Sequence, residues 1–356
     1  MAMEQPQSTA GSTAHLDGDE RADCLTAVLH ETGTLADGDR VEEVAQLSGG
    51  WSRHSFVARA RLGSGGARQF IVRVEAPGGV LETDIAAEYA LYHALDDEPE
   101  IRTPRVYYFD DTGDNPFGHR FMVMEHVSGV AANAFRRPDR EWLAQDWTGP
   151  RGIATDMVEN LARLHCLSVE RLPAGTVPEL GYLDVVDRWQ QVYEEKHLVR
   201  DPVTEEGFDW LRSRVPTDGQ RGIVHGDYRI GNALVEDGRL TALLDWELAY
   251  VGDVRFDLGY LSLKRLAGKH LRPVTPLLNA FADEDWFFDE YARRTGRAVD
   301  RDVVRTFSVL GIMMLLSTHY MGIWMYSQGR SSDFRLAWNR FGAIGLRQDL
   351  TMLMDW

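Results

Sequence analysis

The sequence predicts an α+β chain of two lobes: a small β-rich N-terminal lobe over about residues 21–125, and a larger, mainly helical lobe over residues 126–356. Three observations predict it. Apolar residues alternate with period two between residues 45 and 126, as in half-buried strands. From Gly129 onward they recur mostly at helical spacing. A short β island, residues 222–246, interrupts those helices. A chain of 356 residues has room for two domains or for one fold of two lobes.

The elements follow in order. Residues 1–20 are polar and acidic and read as a disordered tail. Residues 21–31 read as a helix. Two strands follow, at 45–50 and 55–62, joined by a glycine-containing loop, and Gly63-Ser-Gly-Gly66 turns the chain into a third at 69–74. Leu81, Ile85, Glu88, Tyr92 and Leu95 then fall on one helical stripe, which Pro99 and Pro104 end. Residues 105–110 and 120–126 complete the β-rich lobe. In the second lobe Met157, Leu161, Leu164 and Leu167 mark one helix and residues 183–193 another.

Composition narrows the function. With 44% hydrophobic and 26% charged residues the chain is an ordinary globular protein. Its 38 basic and 55 acidic side chains give a net charge of −17, which repels phosphate backbones, so no nucleic-acid partner is expected. The same charge can draw a cationic small substrate or serve solubility alone. Cys24 and Cys166 fit neither a disulfide framework nor a zinc cluster. The N-terminus has no apolar signal core, and a cytoplasmic location is expected. Residues 306–329 lack Asp, Glu, Lys and Arg but contain Ser308, Ser317, Thr318 and His319. They read as a buried central helix, and no membrane partner is expected.

The chemistry concentrates in the β island. Asp237-Gly238 is a two-residue hairpin turn flanked by alternating apolar residues. If Glu236 pairs with Arg239, Asn232 falls opposite Leu243 and Asp245 lies two residues further on. Asn232 and Asp245 then share a face, within about 7 Å of one another. Two oxygen ligands at that spacing suit a hard cation, and so sparse a set suggests magnesium bound with nucleotide phosphates. Asp227, on the loop leaving residues 222–224, is placed to accept the proton of an attacking hydroxyl. Arg229 is placed to reach a transferring phosphoryl group.

This joint pattern resembles the aminoglycoside phosphotransferase family, which shares the protein-kinase fold. It is most similar to the kinase-like branch related to domains found with acyl-CoA dehydrogenases. His225-Gly-Asp227-x4-Asn232 resembles the family's catalytic loop, Asp245-Trp-Glu247 its metal motif, and Gly252-Asp253-x3-Asp257-Leu the segment that follows. The likeness runs from about residue 45 to residue 328.

The resemblance implies a two-lobed, kinase-like fold and an enzyme that moves the γ-phosphoryl of ATP or GTP to a hydroxyl of a small molecule with Mg2+. Asp227 would be the base or hydroxyl-orienting group and Asn232 and Asp245 the metal ligands. His225 would orient the loop by hydrogen bonding. Asp257 has two readings, a brace for the catalytic loop or a helix cap. Leu47-Ser48-Gly49-Gly50-Trp-Ser-Arg53 stands where the family covers the phosphates, with small residues that let backbone amides approach. Arg73 takes the basic position on the third strand. Glu88, a carboxylate on an apolar stripe, either pairs with Arg73 or sits at the stripe's wet edge. Main-chain groups of Glu125, His126 and Val127 would meet the nucleotide base. His165, His319 and Trp324 read first as packed helix residues, the last two with an acceptor pocket as the alternative.

Two features depart from the family pattern: arginine stands where many kinases have lysine, and the glycine loop is short of G-x-G-x-x-G. The alternatives to catalysis are an inactive nucleotide-binding pseudokinase and a metal-dependent hydrolase with His225, Asp227 and Asp245 as ligands. No activation segment ending in Ala-Pro-Glu supports a protein kinase. The branch resemblance favours a metabolic hydroxyl compound over an antibiotic as acceptor.

Overall fold

The computed structural model describes residues 18–47, 53–76, 83–146, 152–268 and 275–355. The chain opens on α1 (Gly18–Glu31), three residues earlier than the sequence suggests. A five-stranded antiparallel sheet follows, made of β1 (Arg40–Gln46), β2 (Arg53–Arg61), β3 (Ala67–Glu75), β4 (Val106–Asp110) and β5 (Phe121–Glu125) in the order β1-β2-β3-β5-β4. β1 starts at Arg40 rather than at Ala45. Its charged run Arg-Val-Glu-Glu hides the strand from a hydrophobicity reading, and a bulge between Val41 and Glu43 breaks the alternation further.

Both faces of this sheet are covered. On one, Ala22, Leu25 and Leu29 of α1 pack with Phe56, Ala58, Phe70 and Val72. On the other, α2 (Ile85–Leu95) buries Ile85, Leu91, Tyr92 and Leu95 with Met122 and Met124 of β5. Asp84 caps α2, its carboxylate accepting the Ala86 N–H at 3.0 Å.

β6 (Val130–Ala131) follows β5 and leads into α3 (Arg137–Asp146), α4 (Ile153–Cys166), α5 (Tyr182–Lys196) and α6 (Pro202–Arg212). The β island comprises β7 (Arg221–Val224), β8 (Ala233–Glu236), β9 (Arg239–Leu243) and β10 (Tyr250–Asp253). β7 pairs with β10, while β6, β8 and β9 form a three-stranded sheet. β10 lies beyond the predicted island, because its sequence Tyr-Val-Gly-Asp is too short to show a period. Four helices complete the chain: α7 (Arg255–Leu261), α8 (Glu284–Thr295), α9 (Arg301–Ser327) and α10 (Phe334–Leu353).

α9 is the helix with the uncharged run. It is long and apolar enough to cross a membrane by length and composition, yet 67% of its most apolar window is buried in the fold. Phe307, Leu310, Met313, Met314 and Leu316 pack against α5, α6, α7 and α10. His319 belongs to this packing: its Nδ1 meets Leu315 O at 2.7 Å, and its ring fills the space over Gly342 of α10. Trp324 lies between the cations of Lys196 and Arg330.

Candidate active site

β7 and β10 carry the His225–Asp227 loop and its support. β7 ends at Val224, and the next three residues are His225, Gly226 and Asp227. Gly226 has a φ of +85°, and a Cβ there would stand 2.5 Å from Leu248 O. Both the left-handed conformation and the contact demand glycine. The loop is held from α7: Asp257, fully buried, accepts the His225 N–H at 2.8 Å and the Gly226 N–H at 2.9 Å. The brace reading of Asp257 therefore describes its contacts.

His165 from α4 joins the same carboxylate, with Nε2 3.1 Å from Asp257 Oδ2 and Nδ1 2.7 Å from the Tyr291 hydroxyl. Burial pulls the pKa of His165 below its ordinary value, against the pull of Asp257. A neutral ring fits both contacts: Nε2–H donates to Asp257, and Nδ1 accepts from Tyr291. The sequence reading of His165 as a packed histidine misses this link, which spans 92 residues.

His225 is likewise buried, and burial lowers its pKa. Its Nδ1 accepts the Asp227 N–H at 3.1 Å and its Nε2 meets Leu244 O at 3.1 Å. Trp246 packs on the ring, centroid to centroid 4.5 Å. Both nitrogens are committed to the loop, which leaves His225 no lone pair for a metal. The hydrolase alternative loses a ligand, and no group of three or more His, Cys, Asp or Glu among the described residues is arranged to hold an ion.

The hairpin differs from the expected register. Glu236 pairs with Arg239 and Val235 with Leu240, but Leu234 then pairs with Ala242 and Ala233 with Leu243. Thr241 is the extra residue, drawn out of line as its hydroxyl reaches Ser128 O at 2.6 Å and Leu234 O at 3.1 Å. Asn232 therefore lies opposite Leu244, whose N–H donates to Asn232 O at 2.8 Å, and not opposite Leu243. Asn232 ends a single 3₁₀ turn (Ile230–Asn232), and Asp245 has a φ of +69°. Local turns, not strand alternation, aim these two side chains.

The site residues form hydrogen-bonded and ion-paired groups near the contact between the lobes. Asn232 Nδ2 donates to Asp227 O at 2.9 Å and to Asp227 Oδ2 at 2.7 Å. Arg229 Nε lies 3.0 Å and 3.2 Å from the two Asp227 oxygens, so Arg229 clamps the carboxylate rather than reaching outward. Gly231 is needed for this, since a Cβ there would meet the Arg229 guanidinium at 2.1 Å. Tyr260, buried on α7, has its pKa raised well above the ordinary phenol value by burial and by Asp227.

Asp245 makes contact with the N-terminal lobe. Its N–H donates to the Tyr92 hydroxyl at 3.3 Å, and its Oδ1 is 3.2 Å from an Arg73 terminal nitrogen. That same nitrogen is 3.1 Å from Glu88 Oε1, so Glu88 faces inward to Arg73 and not to a wet edge. Burial works against the Arg73 charge, but Glu88 and Asp245 outweigh it. Burial also pushes the Glu88 carboxyl above its usual range, against the pull of Arg73 and Arg53.

Two side-chain oxygens are left over. The Asn232 amide oxygen and Asp245 Oδ2 take part in no hydrogen bond among the described residues, and Asp245 is a third exposed. Ser48, Gly49 and Gly50 lie outside the described residues. Glu125 ends β5, with its N–H on Arg105 O at 2.8 Å. His126 and Val127 join β5 to β6, the strand that pairs with β8, and so connect the two sheets. Arg53 and Thr83, which contact Glu88 and Glu247, are not singled out by the sequence reading; Arg53 is merely the last residue of the glycine loop there.

Known proteins share this architecture. Residues 43–295 match the profile of the APH phosphotransferase enzyme family. Acyl-CoA dehydrogenase family member 11 of Homo sapiens is 29% identical over 241 residues, covering 66% of this chain and 29% of that protein. The chain thus spans less than a third of that relative's length. A Ralstonia eutropha protein named as an aminoglycoside phosphotransferase superposes with a TM-score of 0.70 at 20% identity, over 93% of this chain and 97% of the other. The aminoglycoside phosphotransferase APH(4)-Ia, in a ternary complex with AMP-PNP and hygromycin B, superposes with a TM-score of 0.56 at 13% identity, over 92% and 99%. This chain belongs to the APH phosphotransferase enzyme family.

Proposed function

We propose that this protein is a cytoplasmic, Mg-dependent kinase that moves the γ-phosphoryl of ATP or GTP to a hydroxyl of a small metabolic compound. The observation that supports it best is the Asp227 carboxylate, fixed by Arg229 and Asn232, together with the Asp245–Arg73–Glu88 chain that links the lobes. The first can orient a hydroxyl while the second engages phosphates. In APH(4)-Ia the same fold holds AMP-PNP and hygromycin B together.

Catalysis in this reading is positioning plus electrostatics. Asp227 orients the acceptor hydroxyl and takes its proton as the bond to phosphorus forms. Arg73 sits against the phosphates, and the 125–127 connection meets the base through main-chain groups. Asn232 and Asp245 would hold magnesium, which neutralises charge on the phosphate oxygens when bound. His225 and Asp257 keep the loop in place.

The test is a panel of hydroxylated metabolites and antibiotics, scored by acceptor-dependent ADP or GDP release and by mass of the phosphorylated product. Asp227→Asn should lose on the order of 10²-fold or more in turnover while nucleotide affinity stays unchanged. Mg-nucleotide binding with no phosphorylated product across the panel would favour the pseudokinase reading. Full activity in Asp227→Asn would refute the role of that residue.

A further inference from the structure

Arg53, the first residue of β2, is 5% exposed and tied in two directions. One terminal nitrogen donates to Thr83 O and to Thr83 Oγ1, each at 2.8 Å. The Thr83 hydroxyl donates onward to Glu247 Oε2 at 3.3 Å, which links Arg53 to the Asp245-Trp-Glu247 motif. Arg53 Nε stands 3.6 Å from Glu88 Oε2, while Arg73 meets the other oxygen, Oε1. Glu88, with no side-chain exposure, thus lies between two guanidiniums.

The two arginines are not equivalent. Arg73 divides one nitrogen between Glu88 and Asp245, at 3.1 Å and 3.2 Å, while the buried Nε of each arginine has no hydrogen-bond partner among the described residues. Arg73 is the more loosely held of the two. Arg53 is anchored by two hydrogen bonds of 2.8 Å. Any anion that draws Arg73 outward weakens its hold on Glu88. A carboxylate stranded in an enclosed site is far costlier than a weakened ion pair.

We propose that Arg53 is a positioning residue of the phosphate site, a fixed second cation that keeps Glu88 paired while Arg73 turns from Asp245 toward the nucleotide phosphates. The inference rests on the phosphotransferase reading above. It also accounts for arginine as the residue type. The planar fork reaches Thr83 with its tip and Glu88 with its edge, which a single ammonium group cannot do.

The experiment is titration calorimetry with magnesium and whichever of AMP-PNP and GMP-PNP the unaltered protein binds, alongside thermal unfolding without nucleotide. Arg53→Met should weaken binding about tenfold or more, because a buried carboxylate then loses one of its two cation partners. Arg53→Lys, which keeps a cation beside Glu88 but lets go of Thr83, should recover part of that loss. In a Glu88→Gln background there is no charge left to hold, so adding Arg53→Met should change affinity by less than about twofold. A merely structural role would instead give the same loss in both backgrounds, or a lowered melting temperature with affinity intact; either result overturns the proposal. If Arg53→Met alone does not fold, the double variant measured against Glu88→Gln decides, and a fivefold or greater drop there overturns it. An unaltered protein that binds neither analogue refutes the phosphotransferase reading, whereas one that binds and ignores Arg53→Met refutes this inference alone.

Discussion

Replacing Asp257 with asparagine exchanges one carboxylate oxygen for an amide nitrogen, and the site cannot absorb the change. Oδ1 accepts the Gly226 N–H, and Oδ2 accepts both the His225 N–H and His165 Nε2. Whichever way the asparagine amide is turned, its nitrogen faces a buried backbone N–H that then has no acceptor. His165 can adapt by moving its proton to Nδ1, but a peptide N–H cannot. One orphaned buried donor costs about 1–3 kcal/mol, and the surviving bonds weaken because the acceptor is no longer charged. The expected total is about 2–4 kcal/mol, a large share of the 5–15 kcal/mol by which domains are typically stable.

The functional loss should exceed what unfolding explains. The two amides that Asp257 holds belong to the residues just before Asp227, so the variant should lose turnover about tenfold or more at a temperature where it is fully folded. Urea unfolding gives the first number, and steady-state kinetics on an identified acceptor gives the second. An Asp257→Asn protein within about 0.5 kcal/mol of the parent, with unchanged turnover, would refute the claim that this carboxylate braces the loop.

Three further outcomes are expected. Asp245→Ala should abolish the magnesium dependence of nucleotide binding, read by calorimetry with and without the metal; an unchanged response to magnesium would remove Asp245 from the ligand set. Gly226→Ala should cost about 2–4 kcal/mol in urea unfolding, because its φ of +85° and the 2.5 Å approach of Leu248 O act together. His165 has a lowered pKa, so the unfolded chain binds the extra proton first as pH falls, and stability is lost from about pH 6.5 downward. His165 should contribute about 1.4 kcal/mol per pH unit until its folded-state pKa is reached, and His165→Gln should remove that share of the slope in urea midpoints taken between pH 5 and 7.5, leaving the share of the buried His225 and His319.

What the sequence disclosed and what it concealed divide by range. The Asp237-Gly238 turn and the pairing of Glu236 with Arg239 are local facts, and they are present in the fold. The inward placement of Glu88 was also accessible, because a carboxylate on an apolar stripe needs a partner and β3 offered Arg73. The bulge at Thr241 was not accessible. It depends on a hydroxyl reaching Ser128, 113 residues away, and one extra residue changes which side chain faces which. The contact of His165 with Asp257 spans 92 residues, and that of Arg53 with Thr83 spans 30. Neither side chain differs in sequence from an ordinary helix histidine or an ordinary turn arginine.

The register of the hairpin does not decide where Asn232 and Asp245 point. Strand alternation was invoked to bring Asn232 and Asp245 to one side of a sheet, and neither residue lies in a strand. Asn232 is aimed by a 3₁₀ turn and fixed by two bonds to Asp227. Asp245 is aimed by a left-handed backbone conformation and fixed by Tyr92 and Arg73 from the other lobe. A left-handed residue that is not glycine costs about 1–3 kcal/mol and persists only where its surroundings hold it. Here those surroundings belong to α2 and β3, so the orientation of Asp245 depends on contact between the lobes. A change that loosens the packing of α2, far from any reacting atom, should therefore disturb Asp245 before it disturbs Asp227, which the C-terminal lobe holds by itself through Arg229 and Asn232.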